Sequence, residues 1–172
     1  MNTRKLTRIA ILTAMAIILH IAEGMIPVPL PVPGVKLGFA NIITLTAIAL
    51  FGLRKAMTVV VLRTVLSSLL TGTFFSVSFA MSFSGGVAAA LLMAFLWKLS
   101  QKAPNPLFST VGISIAGALA HNLTQLLAAS LIMATGGIFF YLPVMLISSI
   151  PTGILIGILA KLLLPRLQTV LK

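Results

Sequence analysis

A single carboxylate, Glu23, stands against twelve lysines and arginines in 172 residues. Thirteen charged side chains cannot clothe a chain of this length in water. Soluble domains carry about 25% charged residues, whereas here the share is 8%, with 59% hydrophobic. The same excess of apolar residues excludes intrinsic disorder. The chain must therefore fold in lipid. At about 20 residues per spanning helix it has room for roughly seven or eight spans at most, so residues 1–172 are read as one transmembrane domain.

The net charge of +11 invites a nucleic-acid reading. The cations, however, sit singly or in short clusters between apolar stretches, as the positive-inside rule produces, so no nucleic-acid partner is expected. Cysteine is absent, which excludes disulfides, thiol chemistry and Cys-based metal sites. Arg4, Lys5 and Arg8 before an apolar run resemble a signal peptide, but because every later segment is also membrane-bound the run is read as the first span.

Six apolar segments can be drawn: Leu6–Met25, Leu37–Leu53, Ala56–Leu70, Phe74–Trp97, Phe108–Ala134 and Phe139–Leu164. The second and third are short for a hydrocarbon core about 30 Å thick. Their near-continuous apolar character lacks the alternation of a β-barrel, and lipid cannot satisfy free backbone groups, so the expectation is an all-α bundle of six transmembrane helices. With the N-terminus inside, the cytoplasmic segments hold Arg4, Lys5, Arg8, Arg54, Lys55, Lys98, Lys102, Lys161, Arg166 and Lys172. Only Lys36 falls in an outer connection and only Arg63 within a span, so both termini are expected in the cytoplasm.

The outer connection 27–36 carries prolines at alternate positions, which prevents helix and favours a stiff, extended segment. It reads either as a rigid linker or as a lid over an outward-facing pocket. Segment 102–108 reads as an ordinary inner loop. No internal repeat stands out, so an inverted-repeat transporter is not supported.

Polar groups inside a membrane are expensive and each needs an explanation. His20 and Glu23 share one face of the first span, three positions apart. Asn41 lies in the outer part of the second span and Arg63 near the middle of the third, followed by Ser67 and Ser68. Ser78, Ser82 and Ser84 precede Gly85-Gly86 in the fourth. His121, Asn122 and Gln125 lie on the fifth, and Tyr141 opens the sixth. These groups fill the middle and outer half, while the inner half is nearly free of charge. The asymmetry predicts a polar pocket open to the outside and closed below by apolar packing.

Arg63, Lys36 and the two histidines would suit an anionic or acceptor-rich ligand such as a carboxylate, phosphate or carbonyl-bearing ring. The alternative is an Arg63–Glu23 pair, with His121, Asn122 and Gln125 serving as interhelical glue. His20, Glu23 and His121 are a weak candidate metal set scattered among cations, and no metal or other cofactor is expected. Proton coupling through the same three groups carries similar weight. Ala10-x-x-x-Ala14 and Gly153-x-x-x-Gly157 have the spacing of close helix contacts.

No phosphate-binding G-x-x-x-x-G-K-[ST] loop occurs, so the chain cannot itself hydrolyse ATP for transport. One glutamate cannot hold the magnesium that diphosphate chemistry normally uses, and without Asp no Ser-His-Asp triad exists. The chain is not expected to be an enzyme.

Pro33-Gly-Val-Lys-Leu-Gly-Phe-Ala-Asn41 and Phe51-Gly-Leu-Arg54 resemble a family of small bacterial membrane proteins. So do Arg63 with Gly72-Thr73, Ser84-Gly-Gly86, His121-Asn122-Leu-Thr-Gln125 and Tyr141-Leu-Pro143. That family is called the Gx transporter family, also labelled heptaprenyl diphosphate synthase component I. The resemblance covers nearly the whole chain, and the family is similar in turn to the substrate-binding S components of energy-coupling factor (ECF) transporters. It implies a six-helix protein of the bacterial cytoplasmic membrane that captures a small micronutrient from outside. It also implies partnership with a transmembrane coupling subunit and ATPases. Ala10 and Ala14 match the small-residue pattern that contacts that subunit, and residues 27–36 match the loop that covers the substrate. Asn2 stands where nickel and cobalt S components carry His, which argues against metal transport. On the reading of the residues themselves, the substrate site would draw on His20, Glu23, Lys36, Asn41, Arg63, Ser84, His121, Asn122, Gln125 and Tyr141. The other label implies a non-catalytic membrane partner of a prenyl-synthase or quinone-pathway enzyme.

Overall fold

The structure, a computed structural model, describes residues 3–26, 36–102 and 107–170, and these described residues form six α-helices. They are α1 (Thr3–Gly24), α2 (Asn41–Phe51), α3 (Leu53–Leu70), α4 (Val77–Lys102), α5 (Thr110–Met133) and α6 (Leu142–Val170). A 3-10 turn, Gly136–Tyr141, leads into α6. Long apolar runs become helices because a helix satisfies its own backbone where no water is available. Local signals set the ends. The Ser109 hydroxyl caps α5 by accepting the Gly112 N–H at 3.0 Å, and Ala134 closes the helix in the left-handed region.

The second and third apolar segments depart from expectation. Leu37–Ala40 is not helical, and α2 has only 11 residues, about 16 Å of rise. It ends at Gly52, whose φ of 79° breaks the helix sharply. The expected inner connection thus shrinks to one residue, and Arg54 and Lys55 lie in the first turn of α3.

A short α2 is tolerable because of where it sits. It packs against all five other helices, and Asn41–Ile48 are all buried. Surrounded by protein, it has no need to match the bilayer thickness. Among the described residues, four helical segments are long and apolar enough to cross a membrane: Leu6–Gly24, Val77–Lys102, Thr110–Met133 and Gly136–Thr169. The α3 helix is 18 residues long but carries Arg54, Lys55 and Arg63.

The broadest packing joins α4 to α5 and α5 to α6. Gly153 and Gly157 explain the second contact, since a Cβ at either would lie 2.6 Å from the Cα of Ile115 or Val111. This small-residue motif is therefore used inside the chain, letting two backbones meet. The main apolar core, including Leu12, Ile43, Leu45, Val59, Met93 and Ile113, fills the half of the bundle toward the α2–α3 junction. Along α1, Ala10, Ile11, Ala14 and Ile18 are exposed.

Candidate functional site

The C-terminal end of α1, the N-terminal end of α2 and the middles of α3, α4 and α5 bring the polar side chains together. His20, Glu23, Asn41, Arg63, Ser82, His121, Asn122 and Gln125 are all buried. Between α1 and α2, residues 36–38 run through this polar layer in non-helical form. Backbone of that kind is costly at depth unless side chains satisfy it. Gln125 does so twice: its Oε1 accepts the Lys36 N–H at 3.3 Å, and its Nε2 donates to the Lys36 carbonyl at 3.2 Å. The Gly38 N–H donates to Glu23 Oε1. Gly38 has a φ of 87°, and a Cβ there would stand 2.9 Å from Asn41 Nδ2.

The Lys36 ammonium donates to His20 Nε2 at 2.8 Å. Burial pushes the Lys36 pKa below its ordinary value, and the Glu23 carboxylate pulls it back up. The Arg63 guanidinium, 1% exposed, donates from Nη2 to Asn41 Oδ1 at 3.0 Å. His121 Nε2 accepts a hydrogen bond from Gln125 Nε2. Two glycines make the room. A Cβ on Gly85 would lie 2.9 Å from His121 Nδ1, and one on Gly86 3.1 Å from Arg63 Nη2.

The Arg63–Glu23 pair of the alternative reading does not form among the described residues. Glu23 is committed to the backbone at Gly38, and Arg63 to Asn41. Asn122 reaches the other way, donating to the Met145 carbonyl at 2.9 Å and Ser149 Oγ at 2.8 Å on α6. Ser84 bonds back to the Ala80 carbonyl of its own helix at 2.7 Å. Tyr141 is half-buried against the apolar cluster of Met81, Leu126 and Met145. The structure therefore gathers His20, Glu23, Lys36, Asn41, Arg63, His121 and Gln125 in one layer, gives the Asn122 amide donor to α6, and leaves Ser84 and Tyr141 outside that network. Of the expected lid, only Lys36 falls within the described residues. Among the described residues no three His and Glu side chains are grouped to hold a metal ion.

Several buried atoms in this layer have no partner among the described residues: Arg63 Nε and Nη1, Asn41 Nδ2, Glu23 Oε2, His121 Nδ1 and Ser82 Oγ. Arg63 is the most demanding, since a buried charge with donors unused costs several kcal/mol until an acceptor arrives. Ser82, Gly85 and Gly86 form a small-residue patch at i, i+3 and i+4 on α4, a spacing legible in the sequence. The roles of Gly38 and of the Gln125 clamp had no such signal, because their partners are distant along the chain. Three clefts of about 480 to 760 Å³ lie elsewhere, lined mostly by apolar residues such as Met15, Leu91, Phe95, Ile113 and Leu162. They do not coincide with the polar layer.

Four membrane-capable helices around a buried polar layer define a multi-pass, all-helical membrane protein. The family described as heptaprenyl diphosphate synthase component I matches residues 12–163, and the chain belongs to that family. Its fold is similar to that of a solved protein described as the S component of a bacterial ECF transporter. That likeness has a TM-score of 0.67 and 22% identity, over 100% of this chain and 99% of the other. No curated protein matches the sequence.

Proposed function

We propose that this protein is the membrane-embedded substrate-binding subunit of an ECF-type transporter, capturing a small anionic or aromatic micronutrient from outside the cell. In this reading six helices cross the bacterial cytoplasmic membrane with both termini inside, the short α2 crossing within the shelter of the other five. The polar layer faces outward, and the apolar core closes the path below it. The role is non-catalytic, in keeping with a single carboxylate in the whole sequence.

One observation carries the proposal: a fully buried guanidinium, Arg63, with two of its three nitrogens unpartnered among the described residues, beside other donors in the same state. Such an arrangement is wasteful in a purely structural core and useful where an acceptor-rich guest docks. Asn41 and His121 supply hydrogen bonds around it. The fold likeness to an S component supports the same reading. The exposed Ala10 and Ala14 on α1 are the surface on which a transmembrane coupling subunit, working with ATPases, would pack closely.

Equilibrium dialysis of the purified protein against a cell metabolite extract, without nucleotide, tests the binding claim. An enriched small molecule that Arg63→Ala and His121→Ala no longer enrich is the expected result. Folded variants that enrich it as well as the parent would remove the site assignment. Bulky residues at Ala10 and Ala14 are expected to abolish uptake in cells and leave binding intact. The family's description favours a second reading, a membrane partner of a heptaprenyl diphosphate synthase. That reading requires co-purification with a soluble prenyl synthase.

A further inference from the structure

A run of phenylalanines leads from the α3–α4 turn, with Phe74 and Phe75, into α4, with Phe79 and Phe83. Ring centroids lie 4.2 Å apart for Phe74 and Phe75, 5.0 Å for Phe74 and Phe79, and 5.8 Å for Phe79 and Phe83. Gly86 marks the face of this helix that looks at the guanidinium, since its absent side chain leaves Arg63 Nη2 close by. By helical geometry Phe79 lies roughly 20° from Gly86 around α4, and Phe83 roughly 60°. Along the axis they stand about 10 Å and about 4.5 Å from it, toward the α3–α4 turn. Both rings are only partly buried. The ladder therefore continues the Arg63 face of α4 toward the end of the bundle that also holds Glu23 and the entry to α2.

The charge count narrows the guest. Arg63 and the half-buried Lys36 oppose one carboxylate, Glu23, which leaves one positive charge in the polar layer. A guest with one negative charge balances it, whereas a dianion would bring an uncompensated charge into a low-dielectric site. Arg63 Nε, Arg63 Nη1 and Asn41 Nδ2, unpartnered among the described residues, are the donors for that charge. A planar ring attached to the anionic group extends by about one helical turn, into reach of Phe83 and then Phe79. Offset or edge-on ring pairs are favourable at centroid distances of about 4.5–7 Å.

We propose that the ligand of this site is an aromatic monocarboxylate, its carboxylate held by Arg63 and Asn41 and its ring laid against Phe83 and Phe79. The assignment rests on the reading of the polar layer as a ligand site. It adds to that reading the charge number, the ring and the two phenylalanines.

Four probes separate these features in thermal-shift titrations of the full chain in detergent: benzoate, cyclohexanecarboxylate, benzamide and phthalate. Benzoate is expected to bind at least about threefold tighter than cyclohexanecarboxylate, the margin an aromatic pair supplies. It is expected to bind at least about tenfold tighter than neutral benzamide, which lacks the charge-assisted hydrogen bonds. Phthalate should bind no tighter than benzoate. Phe79→Leu should close the gap between benzoate and cyclohexanecarboxylate while both stay ahead of benzamide. Equal binding of benzoate and cyclohexanecarboxylate by the parent protein overturns the ring assignment, and benzamide equal to benzoate overturns the charge assignment. A neutral or dianionic molecule retained by the purified protein and lost in Arg63→Met overturns the ligand class and leaves the site standing. No retained molecule and no probe binding would remove both.

Discussion

The two halves of the bundle treat their polar atoms differently. Toward the α2–α3 junction, Leu12, Ile43, Leu45, Val59, Met93 and Ile113 pack as a dry core. Thr13 and Thr46 there return their hydroxyls to the carbonyl one turn back. Ser114 is the exception, with an unpartnered hydroxyl that nothing in the structure explains. Toward the α3–α4 turn, the chain buries an arginine, an acid, two histidines and two amides that bear on one another, and six of their layer's atoms are unpartnered among the described residues. Both halves are equally buried, so burial alone does not account for the contrast. The first half is complete as it stands. The second has hydrogen-bonding capacity to spare, which in a low-dielectric interior is stable only when something uses it.

Substitutions in the two halves should separate stability from binding. Met93→Ala, which empties the space beside Gly117 in the dry core, is expected to cost about 3 kcal/mol of stability. Ligand affinity should stay within about twofold, as dialysis against the retained ligand would show. Arg63→Met should do the reverse. Loss of its charged contact costs about 2–3 kcal/mol of ligand binding, read by the same dialysis. The thermal midpoint without ligand should not fall, because a buried charge with idle donors has been removed. A large loss of apo stability in Arg63→Met would make the polar layer structural and erase the contrast.

Gln125→Leu sharpens the picture further. It strips the Lys36 N–H and carbonyl of their partner, at a cost of about 2 kcal/mol, and should speed amide exchange at Lys36 before any change at α2. The smallest effect belongs to Asn122, which ties α5 to α6. A double-mutant cycle of Asn122→Ala with Ser149→Ala should give a coupling near 0.6 kcal/mol, the usual size for such bonds in membranes.

Helix number and the position of α1, α4, α5 and α6 were legible in the apolar runs, because lipid leaves a long apolar segment few alternatives. The apolar pattern failed at Leu37–Ala40, which is as hydrophobic as a helix yet is not one. That stretch and the Lys36 before it are held by Glu23 and Gln125, 15 and 89 positions away from the residues they bond. No local window contains such partners. The polar residues themselves were visible as costly exceptions in an apolar chain, which is why Arg63, His121 and Gln125 could be singled out. Their division of labour was not. Ser82 and Ser84 differ only in the direction they leave α4, and Asn122 differs from His121 by one step around α5. Those are questions of helix phase against neighbours, which only packing decides. The alternation of Pro residues in 27–35 remains a sequence reading, since that stretch lies outside the described residues.

Native mass spectrometry of the gently purified protein, with Arg63→Met beside it, tests the central claim most directly. A small molecule bound one to one in the parent and absent from the variant, with both proteins folded, is the result this account requires. A variant that keeps the same molecule at the same occupancy would contradict it.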